Sequence, residues 1–148
     1  NSRQSLAGKR DFDLNRMTDL NAALGLVQLA TLNRQLQRRR ELFDRYREAL
    51  MRTRHQLFGI KDIDFQPNGQ AFAVLLDSKP ELAIAFGAKY EVPVRLTFRD
   101  CVIDATDDRF DKFPHALPCI LRAVSFPIYP FLTAQQVGQI ERVIAHIP

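Results

Sequence analysis

The sequence is poor in the residues that mark several classes of protein. Its 148 residues include no tryptophan and only two cysteines, Cys101 and Cys119. Two cysteines are too few for a disulfide framework and fit a reducing compartment, so we expect a cytoplasmic protein. No apolar run approaches the roughly 20 residues of a transmembrane helix, which predicts no membrane contact. No signal-peptide pattern opens the chain. Because its first residue is Asn1, we interpret it as a trimmed chain or a fragment, with a processed protein as the alternative.

The common catalytic and metal-binding motifs are also missing. There is no glycine-rich phosphate loop, no Gly-x-Ser-x-Gly elbow and no His-Glu-x-x-His. Cys101, His115 and Cys119 could converge on zinc, but their irregular spacing and the lack of a fourth ligand favour free cysteines. The acidic stretch 100–111 lacks the pattern of a calcium loop, and we expect it to be solvated. The residues therefore predict no catalytic and no metal-binding site, with His115 and His146 as structural residues.

The positive charge comes mainly from arginine. The net charge is +4, with sixteen arginines against five lysines. Three arginines are consecutive, at 38–40, and would suit phosphate contacts in a basic nucleic-acid-binding domain. The favoured interpretation is a solvated helix face paired with Glu41, Asp44 and Glu48, because consecutive helical residues point about 100° apart. His55 follows two arginines at a predicted helix C-terminus, where positive charge is favourable.

A long helix is the strongest structural signal. No proline occurs from Thr18 to Arg54, and the only glycine is Gly25. Thr18 can cap the first turn with its hydroxyl, and Asp19 places negative charge at the positive end of the dipole. Thirty-five helical residues would span roughly 50 Å at about 1.5 Å per residue. Because a domain of this size has a radius of gyration of about 15 Å, we predict a connector to a second body.

The two halves of this helix differ in character. The first half is apolar on most sides, with Leu20, Leu24 and Val27 among its residues, and predicts burial on more than one face. Gly25 within it suggests close packing of a neighbouring backbone. The second half is a conventional amphipathic helix with one apolar stripe. We expect a bend at 33–37, where the character changes.

The remainder predicts a small mixed domain. Strands are expected at 71–76, 92–98 and 123–128. One helix is predicted to begin with a capping box of Ser78 and Glu81, and the last with a capping box of Thr133 and Gln136. The predicted fold class is α/β, a two-layer α+β arrangement with about three strands packed on helices. We expect one domain over 1–148: a loop or strand remnant at 1–17, the connector helix at 18–53 and the small α/β domain at 54–148.

Two segments resemble the DegT/DnrJ/StrS family of sugar aminotransferases. The first is Asn15-Arg16-Met17-Thr18-Asp19-Leu20-Asn21-Ala22-Ala23-Leu24-Gly25, which is similar to the family's Asn-Tyr-Arg-Met-Thr-Glu-Leu-Gln-Ala-Ala-Leu-Gly. The second is Phe126-Pro127-Ile128-Tyr129-Pro130-Phe131-Leu132-Thr133, which is similar to its closing Leu-Pro-Ile-Tyr-Pro-x-Leu-Thr. The resemblance is to the C-terminal third of such an enzyme, whose fold is that of fold-type I transferases that use pyridoxal phosphate (PLP).

The resemblance implies that the large domain and its Schiff-base lysine would lie before Asn1. None of the five lysines, at 9, 61, 79, 89 and 112, stands in a setting like that lysine's. In the family, an Asn two places before the Arg reaches the cofactor phosphate of the partner subunit. Here that position is Leu14 and Asn15 precedes Arg16, so Asn15 is the one implied cofactor contact, made in trans. Where the family often has His-Tyr lining the substrate site, this chain has Thr97-Phe98.

We therefore hold one leading hypothesis and two alternatives. The leading one is the C-terminal domain of a PLP-dependent nucleotide-sugar aminotransferase-like protein, contributing dimer contact and active-site closure, without catalysis or PLP binding by this chain alone. Its partners would be a second copy in a homodimer or the missing large domain. The first alternative is a stand-alone, non-catalytic dimerisation module. The weaker alternative is a basic nucleic-acid-binding domain.

Overall fold

The computed structural model describes residues 17–59, 67–98 and 113–148. The chain divides into two compact units, Asn1–Gln35 and Leu36–Pro148. Helix α1 is continuous over Asp19–Leu50. The elements that follow it are β1 (Gln56–Leu57), β2 (Phe72–Leu75), α2 (Pro80–Lys89), β3 (Arg95–Leu96), α3 (Ala116–Arg122), β4 (Ala123–Phe126) and α4 (Ala134–Ala145).

The four strands form one antiparallel sheet in the order β1-β2-β4-β3. Its centre is the pair β2 and β4, in which Phe72 lies opposite Phe126 and Val74 lies opposite Val124. Alternate residues of β2 are buried, so one face of the sheet carries the core. The predicted α+β fold class is confirmed, with one strand more than the three expected, because the two-residue β1 is too short to leave a pattern.

The core of the second unit lies between this sheet face and the helices. Helix α1 contributes Leu42, Phe43, Tyr46 and Leu50, which recur at the spacing of one helical stripe. Phe72 meets the rings of Phe43 and Tyr46 edge-on, with centroids 5.1 and 5.4 Å away. Helix α4, near the C-terminus, adds Val137, Ile140, Val143 and Ile144 to the same core. The predicted amphipathic second half of the long helix is therefore confirmed.

One arginine fastens helix α1 to two loops of the second unit. The Nη1 of Arg39 donates to the carbonyl of Ile128 at 2.8 Å and to that of Gly69 at 3.3 Å. Gly69 adopts φ +68°, and a Cβ there would lie 2.6 Å from the Cβ of Arg39. Only glycine fits this turn without displacing the helix. Arg39 therefore holds structure and is not available as a free phosphate ligand.

The caps predicted from the sequence have different outcomes. The capping box of Thr133 and Gln136 is present, and the Thr18 hydroxyl accepts from the amide of Asn21 at 3.3 Å. The capping box of Ser78 and Glu81 was wrong. Proline at position 80 occupies the first helical position, so the cap falls on Lys79, which makes no side-chain cap bond. The Ser78 hydroxyl instead donates to the carbonyl of Pro148 at 2.6 Å.

Some predicted boundaries and one missed helix are corrected by the structure. The strand expected at 92–98 is reduced to Arg95–Leu96. Helix α3, over Ala116–Arg122, was not predicted from the sequence. Proline at position 118 reads as a helix breaker, but it stands in the first turn, where its missing N–H costs no helical bond. The acidic stretch 100–111 lies outside the described residues.

Candidate functional site

The first half of helix α1 exposes a long apolar surface. No ionisable side chain occurs from Leu20 to Asn33, a span of 14 residues. The side chains along it are open to solvent, with exposures of 79% at Leu20, 69% at Leu26 and 65% at Val27. The burial predicted for this half is therefore wrong for the part of the chain that the structure describes. An exposed apolar surface of this extent is typical of a protein interface.

The apolar surface covers more than one side of the helix. At about 100° per residue, Leu20, Leu24 and Val27 fall within an arc of roughly 60°. Leu26 and Leu29 form a second arc, centred roughly 160° away by the same spacing. On one side the two arcs are joined by alanines, at positions 23 and 30, and on the other they are separated by the polar side chains at 21 and 28. A helix that packs against a single neighbour needs only one apolar arc, so these residues suit a helix that is covered on two sides.

Gly25 lies in this half without a neighbour that would explain it. Among the described residues, no atom lies within 4 Å of the position that its Cβ would take. Glycine in a helix interior costs about 1 kcal/mol relative to alanine. The expected close approach of another backbone is therefore absent from the described part of this chain, and it remains a prediction for a covering body.

The structure describes only some of the candidate site residues named from the sequence. Asn15, the implied cofactor contact, and Cys101, a candidate zinc ligand, both lie outside the described residues. Cys119 is a half-buried free thiol on helix α3, and His115 is exposed at the start of that helix. Within the described ranges, no three histidine, cysteine or acidic side chains come together as a metal site.

The three consecutive arginines have three different environments. Arg38 forms an ion pair with Glu41 at 3.3 Å, whereas Arg39 donates to the two loop carbonyls and Arg40 is exposed. They therefore form no common phosphate site. The sequence-based pairing is confirmed for Arg38 only. The shortest ion pair described is between Arg45 of helix α1 and Glu141 of helix α4, at 2.6 Å, which joins the two helices that flank the core.

His55 has a role that the sequence did not indicate. The residue is 7% exposed, its Nδ1 accepts from the amide of Asp77 at 3.1 Å, and its Nε2 lies 3.3 Å from the carbonyl of Ile147. An amide can only donate and a carbonyl can only accept, so the proton is on Nε2 and the ring is neutral. The expectation of a favourable positive charge at a helix C-terminus is wrong, because the ring is buried between two backbone groups.

Only two of the five lysines lie in the part of the chain that the structure describes. A PLP enzyme needs a lysine placed to bond the cofactor, within a pocket that holds its ring and phosphate. The described lysines are Lys79 and Lys89, which are both exposed. Lys79 caps helix α2, and the Lys89 ammonium lies 5.9 Å from the centroid of the Tyr90 ring. Both side chains therefore lie at the surface of the described part of the chain.

Comparison with known families identifies the chain. Residues 12–147 match the profile of the DegT/DnrJ/EryC1/StrS aminotransferase family. The chain belongs to this family. The matched range includes helix α1, the sheet and helix α4, so the family covers both the exposed apolar half-helix and the core. The family is PLP-dependent, as the resemblance in the two sequence segments implied.

Solved structures share the fold of the chain. It is similar to Spr1654 from Streptococcus pneumoniae in its PMP-form, with a TM-score of 0.76 and 21% identity over 89% of this chain. It is also similar to the aminotransferase TlmJ from Streptoalloteichus hindustanus, with a TM-score of 0.72 and 17% identity over 87% of this chain. AtS13 from Actinomadura melliaura is 25% identical over 88% of this chain, with a TM-score of 0.67. No curated protein matches the chain.

The chain spans about a third of the length of these proteins. The alignments cover 35% of Spr1654, 36% of TlmJ and 35% of AtS13. About two thirds of each relative therefore has no counterpart in the sequence of this chain. No helix in the described ranges has the length and apolar character to cross a bilayer.

Proposed function

We propose that this chain acts as the C-terminal domain of a PLP-dependent nucleotide-sugar aminotransferase-like protein. In this role it contributes subunit contact and closure over an active site that is built mainly by other residues. The observation that carries the proposal is the exposed apolar half of helix α1 in a chain that spans about a third of its relatives. A surface that would be costly to leave in water is expected where another body normally lies.

The arrangement of α1 supports a connecting role. Its apolar stripe from Leu42 to Leu50 packs in the core of the second unit, whereas the leucines and the valine from Leu20 to Leu29 are exposed. One continuous helix therefore carries both a domain-core stripe and an apolar surface that the described chain leaves uncovered. We infer that the covering body is the large domain, a second copy of the chain, or both in a homodimer.

The chain is proposed to lack catalysis and PLP binding when it is alone. The test is a spectroscopic titration of the purified chain with PLP. We expect no stoichiometric visible band, because both described lysines, Lys79 and Lys89, are solvent-exposed. A stoichiometric band that disappears when one of the five lysines is replaced would overturn this part of the proposal.

Asn15 is proposed as a contact to the cofactor phosphate of a partner subunit in the complete protein. The support is its place directly before Arg16-Met17-Thr18 in the segment that resembles the family. Replacing Asn15 by Ala in the complete protein should weaken PLP binding, measured as the dissociation constant for the cofactor. Equal constants for Asn15→Ala and the unchanged protein would remove the residue from the site.

A stand-alone dimerisation module is the second candidate function, favoured by the same exposed surface. The two proposals differ in what the isolated chain does. A dimerisation module should form a dimer of defined mass, because its surface has evolved to meet a second copy. A domain separated from its large body should associate without defined stoichiometry. Sedimentation equilibrium of the isolated chain distinguishes these outcomes. The cytoplasmic location, which rests on the two cysteines, is part of both proposals.

A further inference from the structure

A second surface feature, a cleft between helices α2 and α4, is not used by the proposed function. Its volume is about 640 Å³, within the range of small-molecule sites. Phe86 and Tyr90 line one wall, with ring centroids 5.0 Å apart. The side-chain amide of Gln139 donates to the carbonyl of Tyr90, which fastens helix α4 to the end of helix α2. The two walls of the cleft are therefore held together by a direct contact.

A glycine keeps the α4 wall of the cleft open. Gly138 lies in the interior of helix α4 and lines the cleft. Among the described residues, no atom lies within 4 Å of the position of its absent Cβ. Close packing therefore does not explain a residue that is unfavourable in a helix interior. A larger side chain at this position would occupy the cleft, so the glycine leaves space for a ligand.

The polar groups of the cleft favour an anion. Arg142 and His146 lie one turn apart on helix α4, and no carboxylate is among the lining residues. Arg142 has no ionic partner in the described ranges. The His146 Nδ1 lies 2.9 Å from the carbonyl of Arg142 and donates to it, because a carbonyl only accepts. The other ring nitrogen, Nε2, remains available to a ligand.

We propose that this cleft binds a nucleoside phosphate. The base stacks on the exposed ring of Tyr90, beside Phe86, whose ring plane is tilted by 59° to that of Tyr90. It lies over the open surface at Gly138, and the phosphate is held by Arg142 and His146. Aromatic side chains stack on any base, and arginine matches the geometry of phosphate oxygens. Binding here does not depend on the proposed function, because the cleft lies entirely within the unit Leu36–Pro148 and requires no large domain.

The test is a titration of the isotope-labelled chain with UMP and AMP, followed by amide chemical shifts. Uridine and inorganic phosphate are titrated separately, because each carries only half of the proposed recognition. We expect both nucleotides to bind with shifts centred on Gly138 and Gln139, and to bind at least tenfold more tightly than uridine or phosphate. Absence of binding by UMP and AMP at millimolar concentrations overturns the proposal.

Matched variants separate binding from helix stability. Arg142→Gln should weaken nucleotide binding at least tenfold, whereas Arg40→Gln, at another exposed arginine on a helix, should not change it. Gly138→Leu should abolish binding, and Gly25→Leu should leave it unchanged, since both glycines are helical with open space around them. Thermal melting confirms that each variant is folded. Unchanged nucleotide binding by either Arg142→Gln or Gly138→Leu, when the variant is folded, refutes the assigned site. In that case Arg142 only interacts favourably with the negative end of the helix dipole.

Discussion

His55 is the buried polar residue on which the C-terminal end of the chain most directly depends. Its ring accepts a hydrogen bond from the Asp77 amide and donates one to the Ile147 carbonyl. It thereby joins the turn after β2 to the segment after helix α4. Replacing His55 by Ala removes both bonds and leaves a space where the ring was.

The cost can be estimated from these two contacts. Ile147 is 7% exposed, so its carbonyl loses its partner in a buried position, which costs about 1–3 kcal/mol. Asp77 is exposed, and water can replace the ring at its amide, so this bond contributes only about 0.5–1.5 kcal/mol. We expect His55→Ala to lower the free energy of unfolding by about 1.5–4.5 kcal/mol in total, within the range of disrupted buried networks.

Urea denaturation followed by circular dichroism measures this change in the free energy of unfolding. His146→Ala is the matched control, because His146 is exposed and bonds only within its own helix, and it should change stability by less than about 0.5 kcal/mol. His55→Gln retains a donor toward Ile147 and should recover part of the loss. Equal stabilities for His55→Ala and His146→Ala would refute the role of the His55 hydrogen bonds.

Three further predictions concern other contacts of helix α1. Burial raises the pKa of the Tyr46 phenol well above its ordinary value, so its contribution to stability is present below the ordinary tyrosine pKa and is lost as the pH rises. Alkaline absorbance titrations of the wild-type chain and Tyr46→Phe should therefore coincide until the fold is lost, and an earlier difference would contradict the burial effect. The ion pair of Arg45 and Glu141 is partly exposed. A double-mutant cycle should therefore give a coupling free energy of about 0.2–1 kcal/mol that decreases as salt is added. A coupling free energy that salt does not change would contradict an ionic contact. Gly25→Ala should stabilise the helix by about 1 kcal/mol, which circular dichroism would detect as a higher helix content. A loss of helicity would indicate that another backbone packs at this position.

The features that were predictable from the sequence depend on local patterns. The apolar residues from Leu42 to Leu50 recur with the helical period, and the same residues pack in the core. Their pattern therefore predicts the amphipathic helix correctly. The box of Thr133 and Gln136 is correct because both bonds lie within one helical turn. The extension of helix α1 over 32 residues follows from the absence of proline.

The features that were not predictable depend on contacts between distant residues. Ser78 fails as a cap because the proline that follows Lys79 fixes the helix start, and because its hydroxyl meets the carbonyl of Pro148, 70 positions away in the sequence. His55 is neutral because a strand end and the chain segment after helix α4 meet around it. Helix α3 was missed because proline is compatible with a first turn. The sequence contains no local signal for the hydrogen bond of Ser78 to Pro148 or for the two bonds of His55.

The apolar half of helix α1 shows a different limit. Its composition predicts burial, and the described chain leaves it exposed. The pattern suits a helix that is covered in the assembly we propose, whereas the second unit supplies a core only from Leu42 onwards. The cleft at Gly138 was also not predictable, because a single glycine within a helix indicates an open cleft only when the residues that surround it in space are known.

The central claim, that the apolar half of helix α1 is an interface, is tested most directly by sedimentation velocity. The wild-type chain is compared over a range of concentrations with the double variant Leu24→Glu, Val27→Lys, whose changes lie in one arc of that surface. Burying a leucine or valine contributes about 1.5–3 kcal/mol relative to exposure, so the wild type should associate as its concentration rises. The variant should remain a monomer with an unchanged core. A wild-type chain that stays monomeric throughout, with the same sedimentation coefficient as the variant, would contradict the account.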